Sequence, residues 1–285
     1  MRAVFLLTLA CALSAAASAQ DVHLSIGPKI VELRSGSLQL KGYLWKPQGQ
    51  GPFPAVLFNH GSGAADGQHT AGQTMEEAAS TLAPIFLRHG YAFFYLCRRG
   101  QGLSADQGSF MQDLLQHEEA VKGKEARQHL HYVLATTDHL DDALAGSSFL
   151  KTAPGIAPGR IAVVGHSFGG LLTLLSGARD DAIRAEVTFG AGANSWRLSR
   201  ELREHVFAAI GKTSAPIMLI QAANDYDTTP GTEIAAELAR QRKPHVLKIY
   251  PAIGNNADEG HNFLYLAVPD WEPDVFAFLD RATKQ

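Results

Sequence analysis

The chain has 285 residues, of which 46% are hydrophobic and 19% charged, an ordinary globular composition with enough length for a substantial core. Its formal net charge is −3 and it contains no long basic run, which argues against nucleic acid as a general partner. Its cysteines, Cys11 and Cys97, build no Cys/His cluster of the structural-zinc type, and nothing calls for a cofactor.

The N-terminus reads separately from the rest. MRAVFLLTLACALSAAASA carries one positive residue, Arg2, then an apolar stretch, then small residues ending in Ala17-Ser18-Ala19. This is the layout of a secretory signal peptide cleaved after Ala19, with a secreted or periplasmic product. A membrane anchor fits less well, because the apolar core is short and lacks a basic stop-transfer flank. A lipobox around Cys11 would usually place Leu where Thr8 stands. Cleavage leaves residues 20–285 as a single domain with one cysteine and hence no internal disulfide. Cys97 ends the apolar run YAFFYLC and reads as a buried small residue.

Along that domain, KIVELRSGSLQLKGYLWKP predicts two strands around a turn at Ser35-Gly36-Ser37. PAVLFNHG is an apolar run ending in Gly, the mark of a buried parallel strand. A helix follows over 75–89, with Ala78, Ala79, Leu82, Ile85 and Phe86 on one face. YAFFYLC is the next strand. A helix over 125–144 carries Leu130, Val133, Leu134 and Leu140. Strands RIAVVG, RAEVTFGAG, APIMLIQAA and HVLKIY then alternate with helices over 168–178, 198–210 and 231–242. A last helix over 272–282 holds Pro273 in its first turn, where a missing N–H is tolerated. The alternation predicts an α/β fold: a doubly wound, mostly parallel, eight-stranded sheet with helices on both faces. Ligands in such sheets bind beyond the carboxyl ends of the strands.

The residues at those ends carry the chemistry. In RIAVVGHSFGGLL, Ser167 is flanked as Gly-x-Ser-x-Gly between a strand and a helix, the setting of a nucleophilic serine on a strained turn. A serine needs a base, and in this arrangement the chain order is Ser, acid, His. Among the 12 histidines, only His245 and His261 follow the candidate acid loops. His245 opens a strand at the wrong end of the sheet, which leaves His261 as general base and acid. The acid should follow IMLIQAA, where Asp225 sits nearest the strand end and Asp227 is the competitor. Asp258 and Glu259 lie too close to His261 in sequence to be preferred. The oxyanion hole needs two backbone N–H groups. Phe168, after the nucleophile, supplies one, and Ser62 in FNHGSGA is the candidate for the other.

LFNHGSGA, YAFFYLCRRGQGLS, RIAVVGHSFGG, QAANDYDTTP and EGHNFLYLAVPDWEPDVFAFL, taken in order, resemble the α/β-hydrolase superfamily and its dienelactone hydrolase-like branch. The resemblance implies Ser167, Asp225 and His261 as nucleophile, acid and base. Typical dienelactone hydrolases use cysteine as nucleophile, whereas serine-bearing relatives look like esterases, acyl-peptide hydrolases and prolyl-oligopeptidase-type domains. The resemblance also implies a structural role for RRGQG. Arg98 and Arg99 would order the site rim or pair with surface carboxylates, and the second is expected.

The stretch from Gly192 to Ala215 is too short for a large cap. Gly63–Thr74 and Ser104–Lys124 are the other candidates to cover the site. The expectation is a fairly open cleft rimmed by Phe110, Met111 and Trp196. The leading function is a serine hydrolase cleaving carboxylic esters of small molecules through an acyl-enzyme. A serine peptidase of the prolyl-oligopeptidase-like type, or a non-catalytic binding protein on the same fold, are the alternatives.

Overall fold

The computed structural model describes residues 27–63 and 73–284. The signal-peptide reading of residues 1–19 and most of the Gly63–Thr74 cover lie outside the described residues.

In chain order the strands are β1 (Lys29–Ser35), β2 (Leu38–Trp45), β3 (Phe53–Asn59), β4 (Ala92–Cys97), β5 (Ile156–His166), β6 (Ile183–Phe189), β7 (Ile217–Ala222) and β8 (His245–Tyr250). They form one eight-stranded sheet in the order β1-β2-β4-β3-β5-β6-β7-β8. β1 and β2 are antiparallel and all pairs from β4 to β8 are parallel. This is the sheet that the alternation predicts. Every residue of β4 and β7 is buried, so neither strand alternates polar and apolar residues, as expected when both faces are covered.

The helices are α1 (Met75–Arg88), α2 (Met111–Lys122), α3 (Lys124–Thr136), α4 (Asp138–Thr152), α5 (Phe168–Gly177), α6 (Arg200–Lys212), α7 (Thr229–Arg240), α8 (Ala257–His261), α9 (Phe263–Leu266) and α10 (Val268–Thr283). Helices α1 and α10 bury Phe86, Trp271, Val275 and Phe276 against Val56, Phe93, Val164 and Ile220. On the other face, α5, α6 and α7 pack Leu171, Leu175, Val206 and Ile234 on Ile217 and Leu219. Alternate side chains of each strand thus feed opposite layers.

The expected helix over 125–144 is two helices. They break at Thr137, whose φ/ψ of −124°/−96° is not helical and whose hydroxyl bonds to Val133 O at 2.7 Å. Helix α2 is an addition to the predicted elements. It ends at Gly123, whose φ of 90° reverses the chain into α3. The loop expected around His261 contains the one-turn helix α8. Asn256 caps it by accepting from Glu259 N at 2.9 Å, and five residues are too few for periodicity to reveal. Between β6 and β7 stands only α6, consistent with the expected lack of a large cap there.

Candidate active site

The turn from β5 into α5 is tight. Ser167 takes φ/ψ of 56°/−118°, a region that non-glycine residues rarely occupy and that marks stored strain. Two glycines permit it. A Cβ at Gly165 would lie 2.2 Å from Gly169 O, and one at Gly169 would lie 1.9 Å from Asn59 O. The helix therefore starts pressed against the end of β3, with the serine at the apex. Ser167 N is tied to Phe189 O at 2.8 Å, which fixes the turn against β6.

The structure brings the three sequence-chosen side chains into one hydrogen-bonded line. His261 Nε2 is 2.9 Å from Ser167 Oγ, and His261 Nδ1 is 2.7 Å from Asp225 Oδ1. A carboxylate at Nδ1 sets the tautomer: Nδ1 carries the proton, and Nε2 accepts from the serine. Both side chains are buried, with 2% and 1% exposure. Asp225 Oδ1 also accepts from Tyr226 N at 2.7 Å. Asp227 points elsewhere, accepting from Arg197 Nε at 2.7 Å and Thr229 N at 2.9 Å. His245 begins β8 at the opposite end of the sheet from this line.

Side chains outside that line hold it in place. His166 Nε2 is bonded to His261 O at 2.8 Å. Asn224 donates to Ile253 O and Asn256 O, each at 2.8 Å, and accepts from Ile253 N at 3.0 Å. One asparagine thereby joins the loop carrying the acid to the loop carrying the base. Both residues flank sequence-chosen ones. Adjacency is the only signal available for them, because nothing in a lone Asn or His announces a partner 29 to 95 positions away.

Ser62 and Phe168 face a common cavity with Ser167. Among the described residues, no acceptor is bonded to either backbone N–H. Gly61 sits so close that a Cβ there would lie 3.4 Å from Ser167 Cβ. The carbonyl side of this loop is anchored: Gly61 O accepts from Arg98 Nη2 at 2.9 Å, and Ser62 O accepts from Gln101 Nε2 at 2.6 Å. This corrects the expectation for Arg98. It is fully buried and hydrogen-bonds no carboxylate among the described residues. Arg99 does pair with carboxylates, the half-exposed Asp138 at 2.9 Å and the buried Asp142 at 2.8 Å.

The cavity measures about 290 Å³. Its outer wall is Gln112 and Leu115 of α2 with Arg127, Gln128 and His131 of α3, and its inner wall is Gly192, Asn194, Ser195, Leu198 and Ser199. None of the expected rim residues lines it. Met111 and Trp196 are each only 1% exposed, drawn into the core by their apolar area. The Trp196 N–H is satisfied by Glu233 at 2.7 Å, and Phe110 stands outside the wall, half-buried. The cleft is therefore covered by a helix pair and is more polar than expected, and Ser104–Lys124 supplies half of that cover. Burial pushes the His131 pKa down to about 4, helped by nearby Arg127, so that ring is neutral at pH 7. Among the described residues, no three His, Cys, Asp or Glu side chains cluster as a metal site would require. Cys97 is buried, and desolvation pushes its thiol up to about 12, which suits packing and not nucleophilic attack.

Solved structures share this architecture. The acylaminoacyl peptidase of Pyrococcus horikoshii matches with a TM-score of 0.64 and 18% identity over 90% of this chain and 42% of its own. A puromycin-hydrolyzing peptidase of Mycobacterium tuberculosis matches with a TM-score of 0.61 and 17% identity, over 90% of this chain and 39% of its own. This chain thus spans less than half the length of either peptidase. The dienelactone hydrolase of Anabaena variabilis matches with a TM-score of 0.59 and 17% identity over 90% of this chain and its own full length. At these identities the likeness establishes a shared fold. The sequence itself matches the dienelactone hydrolase family over residues 40–265, a span that includes Ser62, Ser167, Asp225 and His261, and the chain belongs to that family.

Proposed function

We propose that the protein hydrolyses carboxylic esters through an acyl-enzyme on Ser167. The observation that carries this reading is the line Ser167–His261–Asp225, ending in one cavity that Ser62 and Phe168 also line. Ser167 Oγ attacks the ester carbonyl while His261 Nε2 takes its proton. The carbonyl oxygen, now negative, is received by the N–H groups of Ser62 and Phe168. Collapse expels the alcohol, which takes the proton back from His261. Water then repeats the steps on the acyl group and frees the serine. Asp225 holds the imidazole and steadies its cationic form without taking the proton.

Family membership supports hydrolysis in general, and a dienelactone is itself a cyclic ester. Two similar structures are named peptidases, and an amide would pass through the same steps with an amine as leaving group. A panel of esters, lactones and peptidyl amides separates these outcomes. The nucleophile is tested with a fluorophosphonate probe: wild type gains one adduct on the Ser167 peptide and Ser167→Ala gains none. Labelling that survives Ser167→Ala overturns the reading, and an unlabelled wild type points instead to a binding protein. We further propose export, on the layout of residues 1–19. Sequencing the N-terminus of exported protein should then begin at Gln20.

A further inference from the structure

Arg98 is the only fully buried arginine among the described residues, at 0% exposure. Buried cations are costly unless paired, yet no carboxylate among the described residues is hydrogen-bonded to it. Asp142, the nearest acidic influence, has both oxygens occupied by Arg99 and by the Ser35 hydroxyl at 2.7 Å. Arg98 Nε and Nη1 have no partner among the described residues. Desolvation lowers its pKa only to about 10, so it stays cationic at neutral pH.

Its contacts fall on the loop just before Ser62 and on Phe168, with Nη2 lying 3.1 Å from His60 Nδ1, which itself sits 2.7 Å from Gly61 O. Nη2 donates to Gly61 O at 2.9 Å. That oxygen belongs to the same peptide as the Ser62 N–H, and in a trans peptide the two point in opposite directions. Holding the oxygen from behind aims the N–H forward. The guanidinium carbon also lies 5.5 Å from the centre of the Phe168 ring, a cation–π distance. The imidazoles of His131 and His139 meet the same ring edge-on at 5.3 and 5.5 Å. Burial, with Arg98 assisting, keeps His139 neutral, its pKa down at about 3.

We propose that Arg98 is the positioning residue of the oxyanion hole: one buried guanidinium orients the Ser62 N–H, braces Phe168, and sets positive charge behind the point where the negative oxygen forms. Such a charge interacts more favourably with the tetrahedral intermediate than with the neutral ester, because it is preorganised in a poorly screened site. The inference rests on the acyl-enzyme reading above.

A matched pair of ketones tests it. Phenethyl trifluoromethyl ketone adds the serine to give a tetrahedral oxyanion, and phenethyl methyl ketone stays trigonal. For Arg98→Met, kcat/KM for p-nitrophenyl acetate should fall by about a hundredfold, through kcat, within the range seen when an oxyanion donor is lost. The trifluoromethyl ketone should weaken by the same factor while the methyl ketone is unchanged. Arg98→Lys, which keeps the charge and one reach to Gly61 O, should lose about tenfold with the same selectivity. It decides the matter if Arg98→Met does not fold. A merely structural arginine would move both ketones together, and that result, or variants indistinguishable from wild type, overturns the inference. A wild type that neither labels with fluorophosphonate nor turns over any ester overturns the hydrolase reading instead.

Discussion

The floor of the cavity and its cover are built differently. The floor is the set of loops leaving β3, β5, β6, β7 and β8, and it is locked by buried and half-buried side chains that bond across long sequence separations. Asn224 joins two loops, His166 holds the His261 carbonyl, and Arg98 and Gln101 hold the carbonyls behind Ser62. The cover is α2 and α3, which hold on by little. Helix α2 buries only Met111 and Leu115, and α3 only Leu134 and Ala135. Geometry that decides a barrier is fixed from many directions, whereas the surface that meets the variable part of a substrate is attached along a thin apolar seam. Changes in the floor should therefore appear in kcat, and changes in the cover in KM and substrate preference.

The sharpest contrast lies within the floor, between two carboxylates two positions apart. Asp225→Asn offers His261 Nδ1 an amide in place of a carboxylate, which disturbs the tautomer and leaves the imidazolium unsupported. Its kcat should fall by about 10³–10⁴-fold. Asp227→Asn loosens an ion pair with the exposed Arg197 and should change kcat by less than about threefold, as a pair with one solvated partner contributes little. Steady-state kinetics on one ester decides between them. Equal losses would mean that the acid is not specified by the geometry described, and the division into floor and cover would lose its clearest case.

A cover residue gives the intermediate effect. Gln128 of α3 is half-buried and lines the wall. Gln128→Trp narrows a cavity of about 290 Å³ without touching Ser167. Esters of long acids should lose about tenfold in kcat/KM while acetyl esters change little, a size discrimination within what a hydrophobic wall can supply. A uniform loss across chain lengths would show that the cover is coupled to the chemistry after all.

The same division explains what can be read from sequence. Ser167 stands in a contiguous strand-turn-helix pattern, and Asp225 and His261 follow from chain order and strand ends, so the hydrogen-bonded line is reachable from residues alone. The cover is not. α2 shows two buried positions in twelve residues, too thin a stripe to stand out as an amphipathic helix. Met111 and Trp196 miss the rim for the same reason that makes them conspicuous in the sequence: large apolar groups are drawn into the core, and Gln112, Gln128 and Arg127 are left to face the cavity. Arg98 and Arg99 look alike in sequence. They separate because adjacent side chains leaving a strand point to opposite faces, one onto Gly61 O and the other onto Asp142.

The smallest effect concerns stability, where Glu186 and the buried histidines have opposite signs. Glu186 of β6 lies wholly buried beneath α5, with Thr213 Oγ1 donating to Oε1 at 2.6 Å and no partner on Oε2 among the described residues. Burial raises its pKa from 4.5 to about 8. The folded state keeps this proton where the unfolded chain releases it, so its contribution to stability is complete below pH 4.5 and is lost as pH rises toward 8. His131 and His139, depressed from 6.5 to about 4 and about 3, act the other way: the unfolded chain takes protons first, and stability is lost as pH falls below 6.5. Glu186→Gln mimics the protonated carboxyl. Its melting temperature should match wild type near pH 4.5 and exceed it by a few degrees near pH 8, since a tenfold difference in proton affinity between the folded and unfolded chain corresponds to about 1.4 kcal/mol. kcat should not change, because Glu186 touches none of the reacting groups. Thermal melts from pH 4 to 9 check this, and a pH-independent difference would remove Glu186 as the source. A rise that grows from pH 4.5 to 8 would show that the one buried proton on Glu186 opposes the buried His131 and His139, so that each sets a different limb of the stability profile.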